Sequence, residues 1–129
     1  MPQEPGGLKT FPIVGFVTTT DPAKARQFYG DILGLDFVSQ DNFAVVFKTQ
    51  GNTIRVGIAQ KMTPAGHTVL GWEVPDVSAM AKRLTAAGVK FERFPSMPQD
   101  DLGIWDAPGG SRVAWFKDPD GNVLSISQH

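Results

Sequence analysis

One stretch of this chain is written twice. Val14–Asp21 (VGFVTTTD) and Val69–Asp76 (VLGWEVPD) are offset by 55 residues. In both copies the Asp opens an amphipathic run, a Gly closes it (Gly34, Gly88), and a Phe stands three residues later (Phe37, Phe91). A repeat of this length is one supersecondary unit, which cannot bury its apolar face alone. Two units in 129 residues therefore predict two halves sharing one core.

Local signals give each unit the order strand, helix, further strands. Phe11–Thr20 is β-branched and aromatic, as a strand prefers. Asp21 can accept from the free amides of a helix start, and Pro22 loses no hydrogen bond at the first helical position. Ala25, Phe28, Tyr29, Ile32 and Leu33 then share one helical stripe, and Gly34 can end it in a left-handed conformation. Leu35–Ser39, Phe43–Thr49 and Thr53–Ala59 read as strands. In the second unit His67–Val74 reads as a strand, and Pro75-Asp76 opens a helix carrying Val77, Met80, Ala81 and Leu84. Strands are predicted at Val89–Phe94, Gly103–Asp106, Ser111–Lys117 and Asn122–Gln128. The last two are joined by Asp118-Pro119-Asp120-Gly121, a strong turn sequence. The domain reading is a flexible tail over residues 1–10, a first module over 11–62 and a second over 63–129, the modules together making one structural domain.

Composition removes several function classes. A net charge of −1 and the lack of any basic run leave no footprint for nucleic acid. No Cys is present, which excludes disulfides, thiolate–metal sites and a cysteine nucleophile. No apolar run nears the roughly 18 residues of a membrane span. The opening residues MPQEPGGLKT are polar with no apolar signal core, so the expected location is cytoplasmic. Neither a phosphate loop nor a Gly-x-Ser-x-Gly nucleophile turn occurs.

The string Ala25-Arg-Gln-Phe28-Tyr29-Gly-Asp-Ile-Leu33-Gly34-Leu35 resembles the first-module signature of the vicinal oxygen chelate superfamily. That group includes glyoxalase I, extradiol dioxygenases, and fosfomycin and bleomycin resistance proteins. Phe116-Lys-Asp118-Pro119-Asp120-Gly121-Asn122-Val-Leu looks like its last hairpin, so the likeness runs from about Phe11 to Gln128. The resemblance implies an α+β fold, with two βαβββ modules forming an open eight-stranded cup and helices on the outer face. In members of this length it also implies a homodimer. It does not choose a reaction, because the superfamily holds isomerases, lyases, transferases, dioxygenases and binding proteins.

In the metal enzymes of that superfamily, a His or Gln stands seven positions before the Asp that opens each helix. Those places here hold Val14 and Val69. The carboxylate ligand follows Asp-Pro-Asp-Gly-Asn by two positions, where this chain has Ser125. Valine has no lone pair, and a neutral hydroxyl is a weak ligand for ions that prefer imidazole and carboxylate. The expectation is a site with no metal and no cofactor, similar to the bleomycin-resistance branch. His67 shares a strand face with Val69 and Glu73, but six residues of strand put His67 and Glu73 about 20 Å apart, too far for one ion. His129, the last residue, is expected to be disordered.

Strand alternation assigns the cup lining. Val14, Phe16 and Thr18, then Thr53, Arg55 and Gly57, should face it from the first module. Val69, Gly71 and Glu73, with Val123, Ser125 and Ser127, should face it from the second. Arg55 and Glu73 either orient a polar ligand, or pair with each other, or sit at the solvated rim. Trp105 and Trp115, with Phe16, could be flat apolar walls or ordinary core. The ligand-binding candidates are thus Phe16, Thr18, Arg55, Glu73, Trp105, Trp115 and Ser125, and loop 95–101 is a candidate lid.

The leading reading is a metal-free, homodimeric, cytoplasmic protein holding a small organic molecule such as an antibiotic or metabolite. The first alternative is a glyoxalase-type, metal-dependent lyase or isomerase with non-standard ligands. The other is a metal-independent enzyme with Glu73 as base, or an accessory domain that binds another protein. No nucleic-acid or membrane partner is expected.

Overall fold

The computed structural model describes residues 7–129. Of the tail read over residues 1–10, the first six positions lie outside the described residues, and Leu8–Thr10 form one exposed 3-10 turn.

The first half runs β1 (Val14–Thr19), α1 (Pro22–Arg26), β2 (Asp36–Gln40), β3 (Ala44–Thr49) and β4 (Asn52–Ile58). The second runs β5 (Thr68–Glu73), α2 (Val77–Ala86), β6 (Trp105–Asp106), β7 (Arg112–Lys117) and β8 (Val123–Gln128). Each half is a four-stranded sheet with the same order, β1-β4-β3-β2 and β5-β8-β7-β6. The first and last strands of each half are parallel, which needs the helical crossover, and the rest are antiparallel. This is the α+β pair of βαβββ modules that the repeat implies.

The two sheets adjoin along β1 and β5, where Leu70 Cδ1 lies 3.3 Å from the place a Cβ on Gly15 would take. One face of each sheet is sealed by its helix. Val17, Val45, Phe47, Ile54 and Val56 are buried there in the first half, and Ala114, Phe116, Leu124 and Ile126 in the second. These belong to a single apolar cluster, in which Phe28 of the first half meets Phe116 of the second with ring centroids 6.3 Å apart. Neither half could bury that surface alone, so the repeat explains the shared core.

Both helix starts are capped as read. Asp21 Oδ1 accepts from Lys24 N at 3.1 Å, and Asp76 Oδ1 from Ala79 N at 3.0 Å. Removing such a cap typically costs about 1 kcal/mol. Asp76→Ala is therefore expected to lower the thermal midpoint by a few degrees in circular dichroism, with the far-ultraviolet spectrum unchanged.

Three elements differ from the sequence reading, one of them the strand predicted at Gly103–Asp106, which is shortened to Trp105–Asp106. The first helix does not stay α-helical to Gly34: Gln27–Ile32 widens into a π-helical stretch. Leu33 N donates to Phe28 O at 2.8 Å and Leu35 N to Tyr29 O at 3.0 Å. The stripe was readable, but the extra residue in the turn leaves no mark in an apolar periodicity. The strand predicted at Val89–Phe94 is reduced to one bridge, Phe91 with Phe116. The neighbouring strand β7 is paired further along by the two-residue β6, through Trp105 and Val113. Pro95 and Pro98 lack amide hydrogens, so the intervening chain cannot continue the ladder. It closes on itself instead: Gln99 Nε2 donates to Glu92 O and Gly103 O, and Arg93 donates to the carbonyls of Asp100 and Asp101.

A polar seam ties the two halves. Tyr29 Oη, on the first helix, donates to Asp118 Oδ2 at 2.6 Å. Asp118 also accepts from Asp120 N, Asn122 N and Asn122 Nδ2. Asn122 Nδ2 in turn reaches Thr18 O at 2.9 Å. Burial and the facing carboxylate push the Tyr29 hydroxyl well above its ordinary value, so it stays a donor.

Asp120 closes the seam, accepting from Thr19 Oγ1, Thr20 N and Thr20 Oγ1. Burial alone would raise its pKa, but these bonds outweigh it and hold it below the ordinary 3.8. A depressed carboxylate pKa stabilises the fold above the unfolded value, and that share is lost as pH falls through the folded value. On account of Asp120, stability should therefore be independent of pH above about pH 5 and decline below about pH 4. Asp120→Asn should flatten that part of the acid limb in urea titrations at stepped pH.

Candidate functional site

The unsealed faces of the two sheets form the concave side. In the first half, register places Phe16 beside Arg55, and Arg55 beside Val46, on the face opposite buried Val17 and Val56. Phe16 is 69% exposed, a large apolar side chain left open to solvent. Thr18 follows on the same face, opposite Gly57. Arg55 is half-buried and makes no ion pair among the described residues. Asp41 lies within its field, but that carboxylate is bonded to the amides of Phe43 and Ala44, which hold its pKa below the ordinary value.

In the second half, the ladder runs Gly71–Ser125–Trp115 and, one step along, Glu73–Ser127–Val113–Trp105. Trp105 and Trp115 are both half-buried, with ring centroids 6.0 Å apart at 32°. Phe94, from the self-closed loop, meets Trp115 edge-on at 5.5 Å. These three rings make a continuous aromatic wall. Beside it is a cleft of about 400 Å³, lined by Phe94, Trp115, Glu92, Lys117, His67 and Val123 among others. Lys117 Nζ is 3.4 Å from Glu92 Oε1, so the two charges at this cleft largely cancel.

The structure thus groups the sequence candidates into two sets. Phe16, Thr18 and Arg55 share the open face of the first sheet, while Glu73, Trp105, Trp115 and Ser125 share that of the second. Glu73 and Arg55 are not partners. The Glu73 side chain is 72% exposed, and its neighbour is His129, 3.8 Å away. His129 is not loose, as expected, but bonds Ser111 Oγ at 2.8 Å and Ser127 Oγ at 3.1 Å. Sequence reasoning missed Phe94 because it was assigned to an unbroken strand. It missed the Glu92–Lys117 pair because the loop hides their proximity.

The positions that hold divalent metal in related enzymes carry no suitable donors. Val14 and Val69 offer only hydrocarbon, and both stand exposed. Ser125 Oγ is 2.5 Å from the place a Cβ on Gly71 would occupy, so only glycine admits the hydroxyl there. Among the described residues no three His, Cys, Asp or Glu side chains come together. The donor set does not fit a divalent ion.

Comparison with known proteins agrees with this architecture. A family model described as the Glyoxalase/Bleomycin resistance protein/Dioxygenase superfamily matches residues 12–126. A lactoylglutathione lyase from Agrobacterium tumefaciens superposes with a TM-score of 0.72 at 18% identity, covering 97% of this chain and 95% of its own. A member of the same superfamily from Sphaerobacter thermophilus gives 0.70 at 26% identity, covering 92% and 97%. No curated protein matches the sequence.

Proposed function

The chain belongs to the glyoxalase/bleomycin resistance protein/dioxygenase superfamily, and from that footing we propose that it binds a small organic molecule in its cup without a divalent metal. The observation that carries this reading is the pairing of mute metal positions with an intact ligand wall. Val14, Val69 and Ser125 supply nothing for an ion to hold, yet Phe94, Trp105 and Trp115 are gathered on the same concave side. Had the cup merely decayed, nothing would favour three large rings on its open face.

The wall selects for shape. Rigid aromatic side chains bury much area at little entropic cost, and they favour a ligand with a flat apolar face. Arg55, unpaired, is suited to an anionic or carbonyl group at the far side of the cup, with Thr18 beside it as a neutral hydrogen-bonding group. Antibiotics and aromatic metabolites both meet this description. Glu73 serves as a polar rim group.

The proposal includes a homodimer. Val38 and Phe43 leave apolar surface open on the first half, and a second copy would cover it. The proposed location is the cytoplasm; no helix among the described residues is long and apolar enough to cross a membrane.

The test is a thermal-shift screen of flat aromatic compounds, neutral and anionic, in buffer containing chelator. Stabilisation by a subset of them is expected. If no compound raises the midpoint at any concentration, the binding reading fails.

A further inference from the structure

A second cavity lies on the opposite side of the sheets from the cup. It is an open-mouthed pocket of about 220 Å³ at the junction of the two halves, and its walls are Leu35, Trp72, Val74, Met80, Leu84 and Ile126 with a few neighbours. Strand alternation separates it from the cup: Trp72 and Ile126 turn inward where Gly71, Glu73 and Ser125 turn outward. An apolar cavity of about 150 Å³ is enough to admit benzene.

Two features mark it as more than a packing gap. The π-helical stretch Gln27–Ile32 ends at its rim, so that Leu33 and Leu35 line it. Such stretches are uncommon and concentrate at functional sites. Gly34, with φ 81°, turns the chain there, and a side chain in its place would meet Arg83 Nη2 at 3.2 Å. The wall also has one polar point. Trp72 Nε1 donates to Thr49 Oγ1 at 3.3 Å, which leaves the threonine proton free of any acceptor among the described residues.

We propose that this cavity is a second binding site, for a single-ring aromatic molecule carrying one hydrogen-bond acceptor. The ring fills the space between Met80 and Trp72, and the acceptor takes the Thr49 proton. The lining itself is apolar apart from Thr49 and the Trp72 indole, so a neutral ligand is favoured over an ionised one.

The probe is acetophenone, titrated into the full chain and followed by NMR. Saturable shifts are expected at the Met80 ε-methyl and the Trp72 indole, with Met62 and Met97 as internal references. The Trp115 indole should not move. Val74→Phe fills the cavity and should weaken binding at least tenfold, provided the Met97 and Trp115 signals show the fold retained. Leu35→Phe fills it from the other wall and serves if Val74→Phe does not fold. The proposal is overturned by the absence of a saturable Met80 shift, by equal binding to a filled and folded variant, or by shifts confined to Trp115. The wild-type comparison of Met80 with Trp115 decides the matter even if neither variant folds. Because the two sites report through different residues, failure here leaves the cup reading standing.

Discussion

Asp118→Ala is expected to destabilise the protein by about 3–5 kcal/mol, the largest single effect among its polar residues. The residue is only 6% exposed, and its carboxylate gathers the Tyr29 hydroxyl, the amides of Asp120 and Asn122, and the Asn122 side chain. Alanine removes the acceptor from all of these at once; Asn122 Nδ2 keeps its bond to Thr18 O, and each buried orphan among the rest costs about 1–3 kcal/mol, with overlap between them. Tyr29→Phe is the milder companion, removing one charge-assisted bond worth about 1.5–3 kcal/mol while keeping the ring packing. Because Tyr29 belongs to the first half and Asp118 to the second, both losses should appear as one cooperative transition in urea unfolding. A loss below about 1 kcal/mol for Asp118→Ala, or two separate transitions in the wild type, would show that the halves are not joined as described.

The second large effect concerns the cup. For a flat compound from the thermal-shift screen, Trp115→Ala should weaken binding by at least tenfold, about 1.4 kcal/mol or more. Trp115 is the ring that the other two lean on, so removing it dissolves the wall rather than one contact. Trp115→Phe should recover much of the affinity, because it restores a ring face. Fluorescence titration checks both. Affinity unchanged in a folded Trp115→Ala variant would move the ligand away from this wall.

Much of the architecture could be read from residue order. Asp21 and Asp76 cap their helices because a carboxylate before an apolar stripe has few better uses. Val17, Val56, Leu124 and Ile126 are buried because period-two alternation fixes which face a strand side chain takes. Irregularity was not readable. The π-stretch at Gln27–Ile32, which carries Tyr29 to its bond with Asp118, leaves no signal in a local window of sequence. Strand β6 shrank to two residues because the loop before it satisfies its own backbone groups through Arg93 and Gln99.

At the site, identity could be read and company could not. Counting from Asp21 and Asp76 was enough to find Val14 and Val69, since the missing donor is a matter of side-chain chemistry. Which charges would meet was a matter of distance. Glu73 lies beside His129 rather than Arg55, and Lys117 pairs with Glu92 from a loop some 25 residues away in sequence. Surface pairs like these contribute little to stability, so they leave no pattern strong enough to predict.

The most direct test of a metal-free cup is the dissociation constant of a cup ligand, measured by isothermal titration once in chelator and once in saturating zinc. The predicted result is the same affinity within about twofold, with no zinc-dependent heat at one ion per chain. Binding that vanishes in chelator and returns with one equivalent of zinc would contradict it.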